Sequence, residues 1–201
     1  MFPTLMETID QLQDEAGLIS ADRQRVLQQL STYVSAQRPA RLNFICTHNS
    51  RRSHLAQVWA AVAAHYYGMT HVETFSGGTE ATAFNPRAVA ALERAGFRVV
   101  DPGGENPRYL VHFSDDTAPL TCFSKTYDDS FNPATDFAAV MTCSEADENC
   151  PYIPGTNARI ALTYEDPKVA DDTPAEASRY RERVQQIGRE IFWAFAHVNL
   201  S

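Results

Sequence analysis

Apolar positions along the chain fall into two rhythms, a helical period near 3.6 and short unbroken runs of strand length. Leu5, Ile9 and Leu12 keep helical spacing until Gly17 interrupts. Ser20 is placed to cap a second helix reaching Gln37, with Val26, Leu27, Leu30, Tyr33 and Val34 on one face, and Arg38-Pro39 ends it. From Arg41 the rhythm changes. RLNFIC reads as a buried strand, and Ser50 to Tyr67 as a helix turning Leu55, Val58, Trp59, Val62 and Tyr66 inward. HVETFSGG is a second strand ending in a glycine turn. Asn85-Pro86 is a cap followed by a first-turn proline, Gly96 closes that helix, and FRVV is a short third strand.

Residues 101–136 break the pattern, with YLVHF and LTCFSK set among Asp, Pro, Gly and Asn. They predict a β-hairpin or a strand pair within a long connection. FAAVMTC and ARIALTY are further core strands, and Pro174 to His197 a final amphipathic helix. Strands alternating with helices predict a mostly parallel sheet with helices on both faces. The expected organisation is a helical extension over 1–38 and an α/β domain over 39–201, with an insertion at about 101–136. The extension is expected to pack on the main domain or to serve an oligomer contact.

A chain of 201 residues, 44% apolar and 21% charged, suits one α/β domain of a soluble protein. No run approaches the roughly 18 apolar residues of a membrane helix, and MFPTLMETID lacks the basic and apolar regions of a secretory leader. A cytoplasmic location is therefore expected. Net charge is 17 − 25 = −8, which disfavours nucleic acid and anionic membranes as partners. An anionic ligand would need a locally positive site. The four cysteines, Cys46, Cys122, Cys143 and Cys150, include no C-x-x-C pair, and no histidine lies near Cys143 or Cys150, so structural zinc fits poorly. Catalytic or redox chemistry, or inert burial, remains.

The segment FICTHNSRRSHLAQ carries the chemistry. Cys46 ends the first strand and Arg52 stands six residues later, where a helix begins. A strand-to-helix loop of this length can turn successive N–H groups toward one point, an anion nest with the helix dipole behind it. Thr47, His48, Asn49, Ser50, Arg51, Arg52 and Ser53 are thus the candidate oxyanion-binding residues, and Cys46 the nucleophile. Cysteines in such surroundings ionise at about 3.5–7.5 rather than about 8.5. Arg52 supplies a planar fork for two oxygens, Ser53 a hydroxyl for the thiolate, and Asn49 a side chain to hold the loop. The G-x-x-x-x-G-K-[ST] pattern of a nucleotide loop is absent.

Cys46-Thr47-His48-Asn49-Ser50-Arg51-Arg52-Ser53 resembles the loop of the low-molecular-weight protein tyrosine phosphatase superfamily, and more closely that of its thioredoxin-coupled arsenate reductases. Cys143-Ser-Glu-Ala-Asp-Glu-Asn-Cys150-Pro151 is similar to the reductases' redox segment, and Glu165-Asp166-Pro167 to the general-acid loop. FSGGTEATAFNPRAVAALERAGF also reads like the family's second strand and following helix. The resemblance covers about residues 41–198. It implies a flavodoxin-like sheet of four parallel strands with helices on both faces.

The resemblance also implies roles. Cys46 attacks arsenate held by Arg52 and the loop amides, and Asp166 protonates the departing oxygen. Cys143 then attacks the Cys46 sulfur, and Cys150 resolves the disulfide for thioredoxin to reduce. The alternative is a tyrosine phosphatase working through a Cys46 phosphoenzyme, with Cys143 and Cys150 as unrelated thiols. No cofactor or metal is expected. Gln57 stands where potassium-binding reductases carry glutamate, His48 where the family usually has a small residue, and Lys-Val-Ala follows Asp166-Pro167 in place of the phosphatases' tyrosine.

Overall fold

The computed structural model describes residues 1–150 and 152–199; Pro151 of the reductase-like segment lies outside them. Four parallel strands form the central sheet, in the order β2-β1-β6-β7: β1 Ala40–Cys46, β2 Val72–Gly78, β6 Phe137–Met141 and β7 Thr156–Ala161. This is the four-stranded parallel sheet that the resemblance implied, and the parallel pairing that the alternation of strands and helices predicted. Residues along β1 and β6 alternate between two apolar clusters, as a strand's period of two requires. Leu42, Phe44, Ala138 and Val140 join the larger cluster, whereas Ile45, Phe137, Ala139 and Met141 join the smaller one.

The larger cluster is made by helices. Helix α3 (Arg52–Tyr66) packs on β1 and β2, and α6 (Glu176–Ala196) packs on α3, on α4 (Pro86–Arg94), and on the first two helices. These are α1 (Pro3–Asp14) and α2 (Ala21–Ala36), joined by a 3-10 turn at Glu15–Leu18. Ser20 caps α2 by accepting from Arg23 N, and Asn85 caps α4 by accepting from Arg87 N. Because α3 has the sheet on one side and helices on the other, it is buried nearly all round, from Arg52 to Ala64 with the exception of Ala61. Trp59 is fully buried and meets Phe97 and Phe192 edge-on at 5.2 and 5.9 Å. Truncating it would cost about 3–5 kcal/mol.

Leu5, Ile9 and Leu12 of α1 are buried in this same cluster. A Cβ on Gly188 of α6 would lie 2.7 Å from Leu12 and 2.8 Å from Trp59, so only glycine lets the three helices meet there.

Three boundaries differ from the sequence reading. FRVV forms β3 (Arg98–Val100), but it pairs antiparallel with β4 (Tyr109–His112), and β4 with β5 (Leu120–Cys122), in a separate three-stranded sheet. The insertion thus recruits β3 away from the main sheet. Strand β7 starts two residues early and stops at Ala161, after which Tyr164 N donates to Thr142 O beyond the end of β6. The third difference is a short helix, α5 (Ser144–Asn149), in a polar stretch with no apolar period. Its one buried residue, Ala146, helps to cover the smaller cluster. No helix among the described residues is long and apolar enough to cross a membrane.

Candidate active site

The loop from Cys46 to Arg52 lies at the carboxyl end of β1, where open α/β sheets bind ligands. Its carbonyls are held from outside. Cys46 O accepts from Thr79 N, Thr47 O from Glu80 N, His48 O from Ser124 Oγ, and Ser50 O from Asn85 N, at 2.8–3.2 Å. With those oxygens bound outward, the loop's N–H groups are the ones left to turn toward its centre. Gly78 makes this fit possible: a Cβ there would stand 2.7 Å from both Asn49 N and Thr47 O.

Cys46 is 3% exposed, and its sulfur lies 3.1 Å from Ser53 Oγ. Ser53 Oγ in turn accepts from Asn49 Nδ2 at 2.8 Å, while Asn49 Oδ1 accepts from Lys125 N at 3.0 Å. Asn49 sits at φ 44°, in the left-handed region that asparagine tolerates better than most residues. The sequence reading expected Asn49 to bond the loop's own backbone; its side chain instead ties Ser53 Oγ to Lys125 N.

Arg52 donates from Nη1 to Tyr164 O at 3.0 Å and from Nη2 to Asp166 Oδ2 at 2.8 Å. Glu145 Oε2 stands 3.9 Å from the same Nη2. Arg52, Glu145, Tyr164, Asp166 and Lys168 line one open groove. Asp166 also caps the 3-10 turn Pro167–Ala170 by accepting from Lys168 N, which fixes its carboxylate at the groove.

Arg51 behaves differently from its neighbour. Its guanidinium leads away to Tyr180 Oη at 2.8 Å and Asp171 Oδ2 at 3.3 Å, with Asp166 Oδ1 3.9 Å off. Its place in the loop is thus a matter of backbone, the side chain bracing the segment behind Asp166. Burial pushes the Tyr180 hydroxyl up to about 12, so it keeps its proton and donates to Asp171 Oδ1 at 2.8 Å. His48 points outward, its Nε2 3.6 Å from Glu80 Oε2, with both side chains largely exposed.

Behind the loop lies a set the sequence reading did not single out. His54 is fully buried, stacked on Phe84 at 4.1 Å, its Nδ1 3.2 Å from Ser76 Oγ. Burial, with nearby Lys125 adding to it, holds its ring well below the ordinary histidine range, so it is neutral. Lys125 is itself 2% exposed, over the rings of Phe123 and Phe131 at 4.6 and 5.7 Å, and burial lowers its ammonium to about 8. Cys122 is sealed in the main core, its thiol pushed up to about 12 by burial, which keeps it a neutral, inert thiol. Gln57 donates to Thr74 O.

The other three cysteines share one apolar cluster. Cys46 and Cys143 belong to the smaller cluster with Ile45, Phe137 and Met141, and Cys150 packs against its edge. Cys143 is fully buried and forms the N-cap of α5, its sulfur accepting from Ala146 N at 3.4 Å. Thr47 Oγ1 lies 3.5 Å from that sulfur and donates to Glu145 Oε2 at 3.3 Å. Cys150 is the C-cap of α5, half-buried, its carbonyl accepting from Arg159. At a helical rise of about 1.5 Å per residue the two caps are on the order of 10 Å apart, so a bond between them requires α5 to unwind.

A cysteine closing a parallel strand, an arginine opening the next helix and an aspartate beside it stand together on one α/β fold. Solved structures agree on the fold. One is a low-molecular-weight phosphotyrosine phosphatase from Vibrio cholerae, at TM-score 0.52 and 13% identity over 78% of this chain and 94% of its own. Another is an arsenate reductase in a phosphate-binding state, at TM-score 0.50 and 17% identity, over 80% and 99%. No family model matches the chain. An arsenate reductase of Shouchella clausii is 30% identical over 149 residues, 74% of this chain and 89% of its own. One of Bacillus subtilis is 29% identical over 149 residues, with the same coverage. By that likeness the chain belongs to the arsenate reductase family.

Proposed function

We propose that this enzyme reduces arsenate to arsenite through a relay of Cys46, Cys143 and Cys150, with thioredoxin as the final reductant. The oxyanion binds in the Cys46–Arg52 loop, against the inward N–H groups and the Arg52 fork. Cys46 attacks arsenic(V), and Asp166 protonates the oxygen that leaves. Cys143 attacks the Cys46 sulfur; the sulfur–arsenic bond breaks with its electron pair staying on arsenic, which departs as arsenite. Cys150 then displaces Cys46 from Cys143, leaving Cys143–Cys150 for a dithiol reductant.

The observation that supports this reading is the gathering of these three cysteines in one cluster at the carboxyl ends of β1 and β6, with Thr47 Oγ1 3.5 Å from Cys143 Sγ. The fourth sulfur, Cys122, is buried elsewhere. The full burial of Cys143 favours a second reading, a phosphatase using a Cys46 phosphoenzyme whose distal thiols are inert. Arsenate-dependent NADPH oxidation with thioredoxin and thioredoxin reductase, run beside Cys143→Ser, decides between them. A robust wild-type rate lost in the variant supports the relay. Phosphate-ester hydrolysis alone, equal in both proteins, replaces it with the phosphatase.

A further inference from the structure

The hydroxyl of Thr47 stands between a sulfur and a carboxylate. It has one proton, given to Glu145 Oε2 at 3.3 Å, so toward Cys143 Sγ at 3.5 Å it presents only its oxygen. With the Thr47 proton on the carboxylate, the Cys143 thiol is the donor that completes a chain from Cys143 S–H through Thr47 O–H to the Glu145 carboxylate. Cys143 is fully buried, whereas the Glu145 side chain is exposed at the groove.

We infer that Glu145 is the base that takes the Cys143 proton, through the Thr47 hydroxyl, as Cys143 attacks Cys46. The inference rests on the cysteine relay proposed above. In that step the Cys143–Cys46 bond forms and the Cys46–arsenic bond breaks. The two sulfurs are oxidised by two electrons and arsenic is reduced by the same two. The Cys143 proton passes to Thr47 Oγ1, whose own proton passes to Glu145, so no charge is left on the buried sulfur.

The groups facing this chain make the transfer depend on bound substrate. Glu145 shares the Arg52 guanidinium with Asp166, and Lys168 lines the same groove. An oxyanion on Arg52 engages that positive charge and sets negative charge beside Glu145, which favours the carboxylate accepting a proton. On the far side of α5, Asp147 is paired with Arg159 at 2.8 Å and has its own partner, and Cys46 itself is by then bound to arsenic. Glu145 is thus a positioning residue for the proton, two places after the sulfur it serves.

The test uses the full-length chain carrying Cys150→Ala, which stops the relay at the Cys46–Cys143 disulfide. Single-turnover arsenate reduction is quenched with acid, and the disulfide is quantified by mass spectrometry across pH. With Glu145 present the rate is expected to vary little around neutrality. Glu145→Gln is expected to be about 100-fold slower near pH 6.5 and to rise about tenfold per pH unit as hydroxide replaces the base. Glu145→Asp should restore most of the rate, and Thr47→Val should copy the glutamine variant. A Glu145→Gln profile that overlies its parent, or is lowered evenly at every pH, overturns the inference while leaving the relay standing. No disulfide in the parent overturns both.

Discussion

Ser53 Oγ lies 3.1 Å from the Cys46 sulfur and accepts from Asn49 at 2.8 Å, so its own proton is free to point at the sulfur. One serine thereby receives the loop's structural bond and offers its hydrogen to the nucleophile. Ser53→Ala should slow alkylation of Cys46 by iodoacetamide at mildly acid pH by about tenfold, because the thiolate loses a hydrogen bond. Unchanged alkylation would mean that the loop amides alone hold the charge.

Asn49→Ala removes the acceptor from the buried Lys125 N–H and puts alanine at φ 44°. A destabilisation of about 1–3 kcal/mol is expected, read as a fall in the denaturant midpoint. An unshifted midpoint would show that the loop holds its shape without this tie.

Cys46→Ser should abolish arsenate reduction and phosphate-ester hydrolysis alike. Asp166→Asn should lower kcat for phosphate-ester hydrolysis by about 10²–10⁴-fold, since the amide keeps the shape beside Arg52 but cannot supply a proton. Steady-state kinetics on both variants check this, and substantial turnover by Cys46→Ser would remove the mechanism altogether.

Cys150→Ala is expected to complete one round of arsenate reduction and then stall with thioredoxin. Counting arsenite released per enzyme gives the answer directly: one for a stalled relay, many if a small thiol resolves the intermediate.

Lys125 makes a prediction about pH. Burial depresses its ammonium to about 8 from 10.5, so between those values the unfolded chain binds more protons than the folded one. Stability from this residue therefore rises with pH across that window and is lost as pH falls through about 8. Lys125→Met, which keeps the stem between the aromatic rings, should gain roughly 1–3 kcal/mol at pH 7 and lose the rise. Subtracting the two stability curves isolates the lysine from Cys122, whose opposite contribution falls between 9 and about 12. A difference curve that is flat from pH 7 to 10 would place the ammonium in water.

The main sheet and the loop were readable because their signals are local. Four apolar runs have strand length, and Cys46, Asn49 and Ser53 meet within one short stretch of chain, although Asn49 and Arg52 also reach Lys125, Tyr164 and Asp166 beyond it. Glu145 was not readable, since its importance depends on α5 folding back over Thr47 from a strand nearly 100 residues away. Helix α5 itself shows no apolar period, and a sulfur is an unusual cap. Lys125 closes the run LTCFSK without any mark of burial, and only the packing of Phe123 and Phe131 against it makes it a buried cation. Nor could β3 declare which sheet it would join, because a run of three residues fits either.

Gly188 bears on how the N-terminal helices relate to the catalytic part. Leu12 and Trp59 both press on the space a side chain there would fill. A version of this chain without its first two helices would open a trough along α6 and wet the back of α3, the helix whose first residue is Arg52. The leading segment thus braces α6, the helix that in turn packs along α3, so its loss would be felt one layer away from Arg52.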